Sequence, residues 1–243
     1  MTDILRTRFS RPVRALLAGL LFVGIVPLSA AASAPTPFTA TYQVQRDGQT
    51  IGEATITLSA SGSDTYAYRN QTRGTSGLAA LLGASSDETT RFRWHDDAPE
   101  TLTYDYSMDA AIKQKHRHLE VDWAAGQVTV DEGKGPIRYA SAPGMVDRNT
   151  LPLALGLALR EGRKSVVLPV GVKQRVEQQQ YAVQATEPVS VPAGEFKAQR
   201  VSRTDTDKPF DAWYVTSKFP LPVKLAQSDG GDLTLLLVKF HSP

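Results

Sequence analysis

Tyr181-Ala-Val183-Gln-Ala185, Val189-Ser-Val191, Phe196-Lys-Ala198, Phe210-Asp-Ala212-Trp-Tyr214, Leu221-Pro-Val223-Lys-Leu225 and Leu233-Thr-Leu235-Leu-Leu237 follow one another near the C-terminal end of this chain. Apolar and polar residues mostly alternate within each run. That is the pattern of a strand with one face on a core and the other in water. Pro192-Ala193-Gly194, Asp205 to Pro209 and Asp229-Gly230-Gly231-Asp232 separate the runs with turn-forming residues. The stretch reads as successive antiparallel strands.

The same reading extends toward the N-terminus. Phe38-Thr-Ala40-Thr-Tyr42-Gln-Val44 alternates, Asp47-Gly48 turns, and Ile51 to Leu58 returns with Ala54, Ile56 and Leu58 on one face. Thr65 to Thr72, Glu88 to Trp94, Glu100 to Met108, Ile112 to Trp123 and Val128 to Val130 continue the series. Between the third and fourth runs, Gly77-Leu78-Ala79-Ala80-Leu81-Leu82-Gly83 is long enough only for a turn or two of helix. Gly133 to Gly144 reads as loop with one extended piece at Ile137 to Tyr139. One good helix is expected over 150–162. Asp147, Asn149 and Thr150 are its N-cap choices, Pro152 suits its first turn and Gly162 ends it. Leu151, Leu155, Ala158 and Leu159 make one face of it apolar. Val166 to Val170 and Lys173 to Ala185 then lead back into the opening stretch. The expected fold is mainly β: a strongly curved antiparallel sheet, or half-open β-barrel, with one α-helix packed on it.

The first 32 residues read as an address. Arg6, Arg8, Arg11 and Arg14 precede the uncharged apolar run Ala15 to Val26, Pro27 breaks it, and Ala30-Ala31-Ala32 fits a signal-peptidase site. The alternative is an uncleaved anchor; the two glycines, Pro27 and the small-residue tail argue against a stable span. The expected organisation is a signal peptide at 1–32 and a single β-rich domain at 33–243, delivered to the periplasm with no transmembrane span in the mature chain. The whole sequence has 27 Lys and Arg against 25 Asp and Glu; residues 1–32 hold four Arg and one Asp, which leaves 23 against 24. A near-neutral remainder argues against a nucleic acid partner, which would need a clustered surplus of cations. With no Cys at all, folding rests on the core without disulfides, and thiol chemistry is excluded.

Phe38-Thr-Ala40-Thr-Tyr42 followed by Gly48 and Gly52, Ser76-Gly77-Leu78, Asp147 before the helix, Val191-Pro192-Ala193-Gly194-Glu195-Phe196, Trp213 and Leu221-Pro222-Val223 occur in this order. In that order the chain resembles the exported bacterial proteins of the domain-of-unknown-function family numbered 3108. The resemblance runs from Phe38 to about Phe240. It implies an envelope location and a β architecture, and it transfers no catalytic residue.

No nucleophile elbow, Ser-x-x-Lys pair, His-Glu-x-x-His helix or phosphate-cradling glycine loop is present. His116 and His118 share one strand face, but two imidazoles need a third ligand, such as His95 or Glu120, to hold a metal. A charged, solvated face beside Lys113, Lys115 and Arg117 explains them more simply, and no metal or cofactor is expected. Asp96-Asp97, Asp105 with Asp109, and Asp205 with Asp207 are the acidic pairs a glycosidase would draw on. Turn chemistry and solvent-facing strand positions account for all three. Binding fits better than catalysis. Leu78, Leu81 and Leu82 form an apolar insert where a surface loop is usually polar; they either close the core or meet a lipid or partner. Phe92, Trp94, Tyr104, Tyr106, Trp123, Trp213 and Tyr214 are candidates to line a ligand cavity in a curved sheet, against an ordinary packed core. The leading expectation is a non-catalytic envelope protein that binds a lipid or lipidated protein. An interaction module that steadies an envelope complex is the alternative, and a hydrolase with an unfamiliar site comes last.

Overall fold

The computed structural model describes residues 34–228 and 232–243. The export segment expected at 1–32, and most of the turn expected at 229–232, lie outside them. Strand β1 (Phe38–Arg46) buries Phe38, Ala40, Tyr42 and Val44 and turns the intervening polar residues outward. This period-two alternation repeats in β2 (Gln49–Ala60) and β3 (Thr65–Gly74). The short helix α1 (Gly77–Leu81) follows, then β4 (Ser85–His95), β5 (Ala98–Ala110), β6 (Lys113–Asp122), β7 (Gln127–Asp131) and β8 (Ile137–Ala140). A two-residue strand, β9 (Val146–Asp147), precedes α2 (Leu151–Arg160). The chain ends in β10 (Ser165–Gly171), β11 (Val176–Val191), β12 (Gly194–Arg203), β13 (Phe210–Tyr214), β14 (Lys224–Gln227) and β15 (Leu233–His241).

All of these strands belong to one 15-stranded sheet in the order β8-β7-β6-β5-β4-β3-β2-β1-β15-β14-β13-β12-β11-β10-β9. Two meanders are therefore joined by their outermost chain segments, β1 pairing antiparallel with β15 from Thr39↔His241 to Arg46↔Leu233. Only β9 runs parallel to its neighbour, through Val146↔Val170 and Asp147↔Gly171. The sheet curls until its far ends approach. Thr101 N–H in β5 donates to Met145 O at 3.0 Å, and the Asp147 carboxylate of β9 accepts the Thr101 hydroxyl at 2.7 Å and the Thr90 hydroxyl of β4 at 2.9 Å. Farther out, the Tyr139 hydroxyl of β8 donates to Val172 O at the β10–β11 turn at 2.5 Å. The result is a half-open barrel built from a mostly antiparallel sheet.

Helix α2 lies inside the curl. The sequence periodicity predicts one apolar face, but Leu151, Leu153 to Leu155 and Gly156 to Leu159 are all buried. The reason is that strands cover the helix from both sides. Leu153 and Leu157 pack with Tyr42, Tyr66, Phe92 and Leu237, whereas Leu151, Leu155, Ala158 and Leu159 pack with Val166, Val170, Tyr181, Val201 and Tyr214. The helix is seated so closely that a Cβ on Gly156 would lie 1.9 Å from Pro220 O. Thr150 is the N-cap residue without a capping side-chain bond; Asp147 instead accepts the N–H groups of Asn149 and Thr150 at 2.8 and 3.2 Å. At the other end Gly162 takes φ +85° and its N–H donates to Leu159 O.

Three strand boundaries differ from the sequence reading. Tyr181 to Ala185 and Val189 to Val191 are one continuous strand, β11, with a bulge between Val183 and Ala185. Pro188 is tolerated inside it because β10 pairs only as far as Ala182, which leaves that side of β11 unpaired beyond the bulge. Strand β12 continues through Gln199 to Arg203, where alternation is weak and pairing with β11 and, as far as Ser202, with β13 holds it. Leu221-Pro222-Val223 is not strand; Pro222 offers its carbonyl to the Tyr42 hydroxyl at 2.8 Å.

Candidate functional site

The packed core fills one end of the curl, and a cavity of about 1820 Å³ opens at the other. Its floor is apolar and aromatic: Tyr42, Ile56, Tyr68, Tyr104, Tyr181, Leu151, Leu221, Leu225 and Leu235. Several strands carry a gradient from this floor to the rim, because their inward residues change from apolar to charged along the strand. Strand β1 presents Tyr42, Val44 and Arg46 in turn. On β6, the buried Leu119 is followed toward the rim by Arg117, Lys115 and Lys113. On β11, Tyr181 is followed by Gln179 and Glu177, with Arg175 just before the strand.

The floor hydroxyls are largely committed to the protein. Tyr42 donates to Pro222 O, Tyr181 to Gln179 Oε1 at 2.6 Å, and Tyr104 to Glu88 Oε2 at 2.7 Å. Burial pushes the phenols of Tyr42, Tyr104 and Tyr181 well above their ordinary range. Burial also raises the Glu88 carboxyl, opposed by the Tyr104 hydroxyl. The floor is consequently a weakly polar surface, bordered by the Glu88 carboxyl.

The rim is cationic. Arg46, Arg73, Lys113, Lys115, Arg117 and Lys134 line it from the first meander; Arg148, Lys173, Arg175, Arg203 and Lys208 line it from the second. Against these eleven stand four carboxylates, Glu88, Glu132, Glu177 and Asp205. Three of the four are already bonded to rim cations. Glu132 bridges Arg117 and Lys173, and the hydrogen bonds from Lys173 and Arg117 hold its carboxyl below the usual range. Glu177 pairs with Arg175, and Asp205 with Arg203 at 2.8 Å, which holds the Asp205 pKa to about 2. The excess of positive charge faces whatever enters the cavity.

Tyr104 and Tyr106 line this cavity. The other aromatic candidates are placed elsewhere. Phe92 is fully buried and stacks on Tyr66 with ring centroids 5.2 Å apart, and Trp94 packs against the same core. Trp123 donates to Thr101 O at 3.0 Å beneath the Arg93 guanidinium. Trp213 donates to Glu187 at 2.7 Å with the Lys224 ammonium 4.5 Å above its ring. Tyr214 is buried and donates to Pro152 O, fixing α2. Leu78 and Leu81 of α1 are exposed and Leu82 is half-buried, while Ala79 between them lines the cavity. Tyr42, Tyr68, Tyr181 and Phe210 also line the cavity, and the sequence does not single them out. Alternation marks the inward face of a strand without marking depth along it.

The remaining candidates do not converge. His118 Nδ1 meets Asp105 at 2.7 Å in solvent, His116 sits beside Gly133, and His95 lies 3.5 Å from both Asp96 and Glu100. Asp96 and Asp97 occupy a turn at φ +49° and +59°, where short polar side chains are tolerated. Among the described residues no group of three or more His, Asp or Glu is gathered as a metal site would require. No helix there is long and apolar enough to cross a membrane.

The chain is a half-open β-barrel with an internal helix and a cavity at one end. This chain belongs to the family described as "Protein of unknown function (DUF3108)", whose pattern matches residues 38–238. Its fold is similar to the crystal structure of a β-barrel-like protein of domain of unknown function DUF1849 from Brucella abortus. The TM-score is 0.51 at 13% identity, covering 86% of this chain and 98% of that one. No curated protein sequence matches the chain.

Proposed function

We propose that this protein is a non-catalytic periplasmic binding protein that holds an acidic amphiphile, its apolar part on the aromatic floor and its anionic headgroup among the rim cations. The observation that carries this reading is the gradient within one cavity from Tyr42, Ile56 and Leu235 to Arg46, Lys113 and Arg175. Apolar surface at depth favours an acyl or similar chain, and a cationic mouth favours phosphate or carboxylate at its end. The volume of about 1820 Å³ exceeds that of a typical drug-sized pocket and suits a lipid or the lipid of a lipidated protein. The Arg-rich, apolar N-terminal segment supports the periplasmic part of the proposal.

The test is a titration of the purified protein with a fluorescent long-chain fatty acid, alongside native mass spectrometry for retained lipid. Thr72 and Ser86 are cross-strand partners that both line the cavity, so Thr72→Trp and Ser86→Trp fill it from the wall. Each is expected to weaken binding by about tenfold or more while leaving the circular dichroism spectrum unchanged. Wild-type protein that captures no amphiphile, or folded tryptophan variants that bind as wild type does, would overturn the reading.

A further inference from the structure

We propose that the rim segment formed by α1 and the β5–β6 turn is a docking face for an anionic lipid bilayer. Leu78, Leu81 and Ile112 are 68%, 81% and 83% exposed, and α1 buries none of its residues. The two segments are neighbours, because Ala111 N–H donates to Leu82 O at 2.9 Å. Large apolar side chains held together in water mark a surface meant to be covered.

The segment is held firmly. Thr75 N–H donates to Ile51 O, the Ser76 hydroxyl to Thr50 O, and Gly74 N–H to Ala84 O at 2.7 Å. Gly74 itself backs onto α1, where a Cβ would lie 2.6 Å from the Ala79 backbone. The exposed leucines therefore sit on a fixed platform and need little ordering on insertion.

Charge selects the occupant. Lys113 and Lys115 follow Ile112 on β6, with Asp109 the one acidic residue on that hairpin end; Arg73 stands at the foot of α1 with Glu53 as its cross-strand partner. Apolar tips flanked by lysines suit the interface of a bilayer carrying negative headgroups. The platform and the cavity share a rim, since Ala79, Ala84 and Lys113 line the cavity from this side. Docking here would bring the mouth to the membrane surface.

The experiment is flotation with phosphatidylglycerol vesicles and with phosphatidylcholine vesicles. It uses the chain from Ser33 onward, because the core clusters lie between Phe38 and Phe240. Wild type is expected to float with the anionic vesicles, and to do so less as salt rises. The triple variant Leu78→Ser, Leu81→Ser, Ile112→Ser should float about tenfold less, and Lys113→Gln with Lys115→Gln several-fold less. Fatty-acid binding by the triple variant should equal that of wild type, which separates this face from the cavity proposed above. Absent flotation, undiminished flotation of the triple variant, or a wild-type dimer that the triple variant converts to monomer would overturn the proposal.

Discussion

Asp147 and Thr101 meet at 2.7 Å across the place where the curled sheet lacks a continuous ladder of strand pairing. The same carboxylate accepts the hydroxyls of Thr90 and Thr150 and the N–H groups of Asn149 and Thr150. One side chain thus ties β9 and the start of α2 to β4 and β5. Burial raises its pKa, and the surrounding donors oppose that rise.

Asp147→Ala is expected to destabilise the fold by about 3 kcal/mol or more, since several buried donors lose their acceptor together. Asp147→Asn should cost much less. Its oxygen can keep the two backbone donors, and its amide can donate to the rotated hydroxyls of Thr101 and Thr150. Urea denaturation of the two variants checks this; equal losses would show that the carboxylate's hydrogen bonds do not close the sheet.

Gly156→Ala offers a reversal of sign. In an exposed helix interior this change stabilises by about 1 kcal/mol. Here the new methyl meets Pro220 O at 1.9 Å, and overpacking should leave a net loss of about 2 kcal/mol. A lowered thermal midpoint is expected; an unchanged or higher one would mean that α2 is not pressed against residue 220.

Stability should depend on pH through carboxyls of opposite sign, of which Glu88 and Asp205 are two. Glu88 has a folded pKa above its ordinary 4.5, so its contribution is full below that value and is lost as pH rises through the folded pKa. Asp205 is held to about 2, so its contribution is present above 3.8 and is lost as pH falls toward 2. Glu88→Gln should therefore be more stable than wild type at pH 7 and show a smaller decline between mild acid and neutrality. The decline should not vanish, because Asp147 acts in the same direction. Asp205→Asn should flatten only the acid limb. Denaturant midpoints from pH 2 to 8 read both effects.

Leu153 is fully buried between α2 and the first meander. Leu153→Ala is expected to cost about 2–5 kcal/mol, because the sheet cannot collapse onto a helix held on its other side. A loss below about 1 kcal/mol in calorimetry would show that the interior end of the barrel is loosely filled.

Much of this architecture was legible in the chain. Alternation in Phe38 to Val44 or Phe210 to Tyr214 marks strands and their buried faces, because side-chain direction in a strand is a local property of period two. Alternation did not distinguish Tyr106, which lines the cavity, from Phe92 in the packed core. Depth along a strand depends on where α2 ends, and α2 is placed by Asp147, Tyr214 and Pro220 from distant parts of the sequence. The composition after residue 32 sums to near neutrality and so concealed the rim, where strand register gathers eleven cations against four carboxylates.

The amino-acid sequence by itself determined most of the strands and their inward faces, the longer helix and the family, since each follows from short-range periodicity, turn residues and ordered motifs. Only the tertiary structure decided that β1 and β15 join the two meanders, that the helix lies inside the curl, and that one end stays open. Those features arise from pairings as much as two hundred residues apart, and no local pattern carries that information.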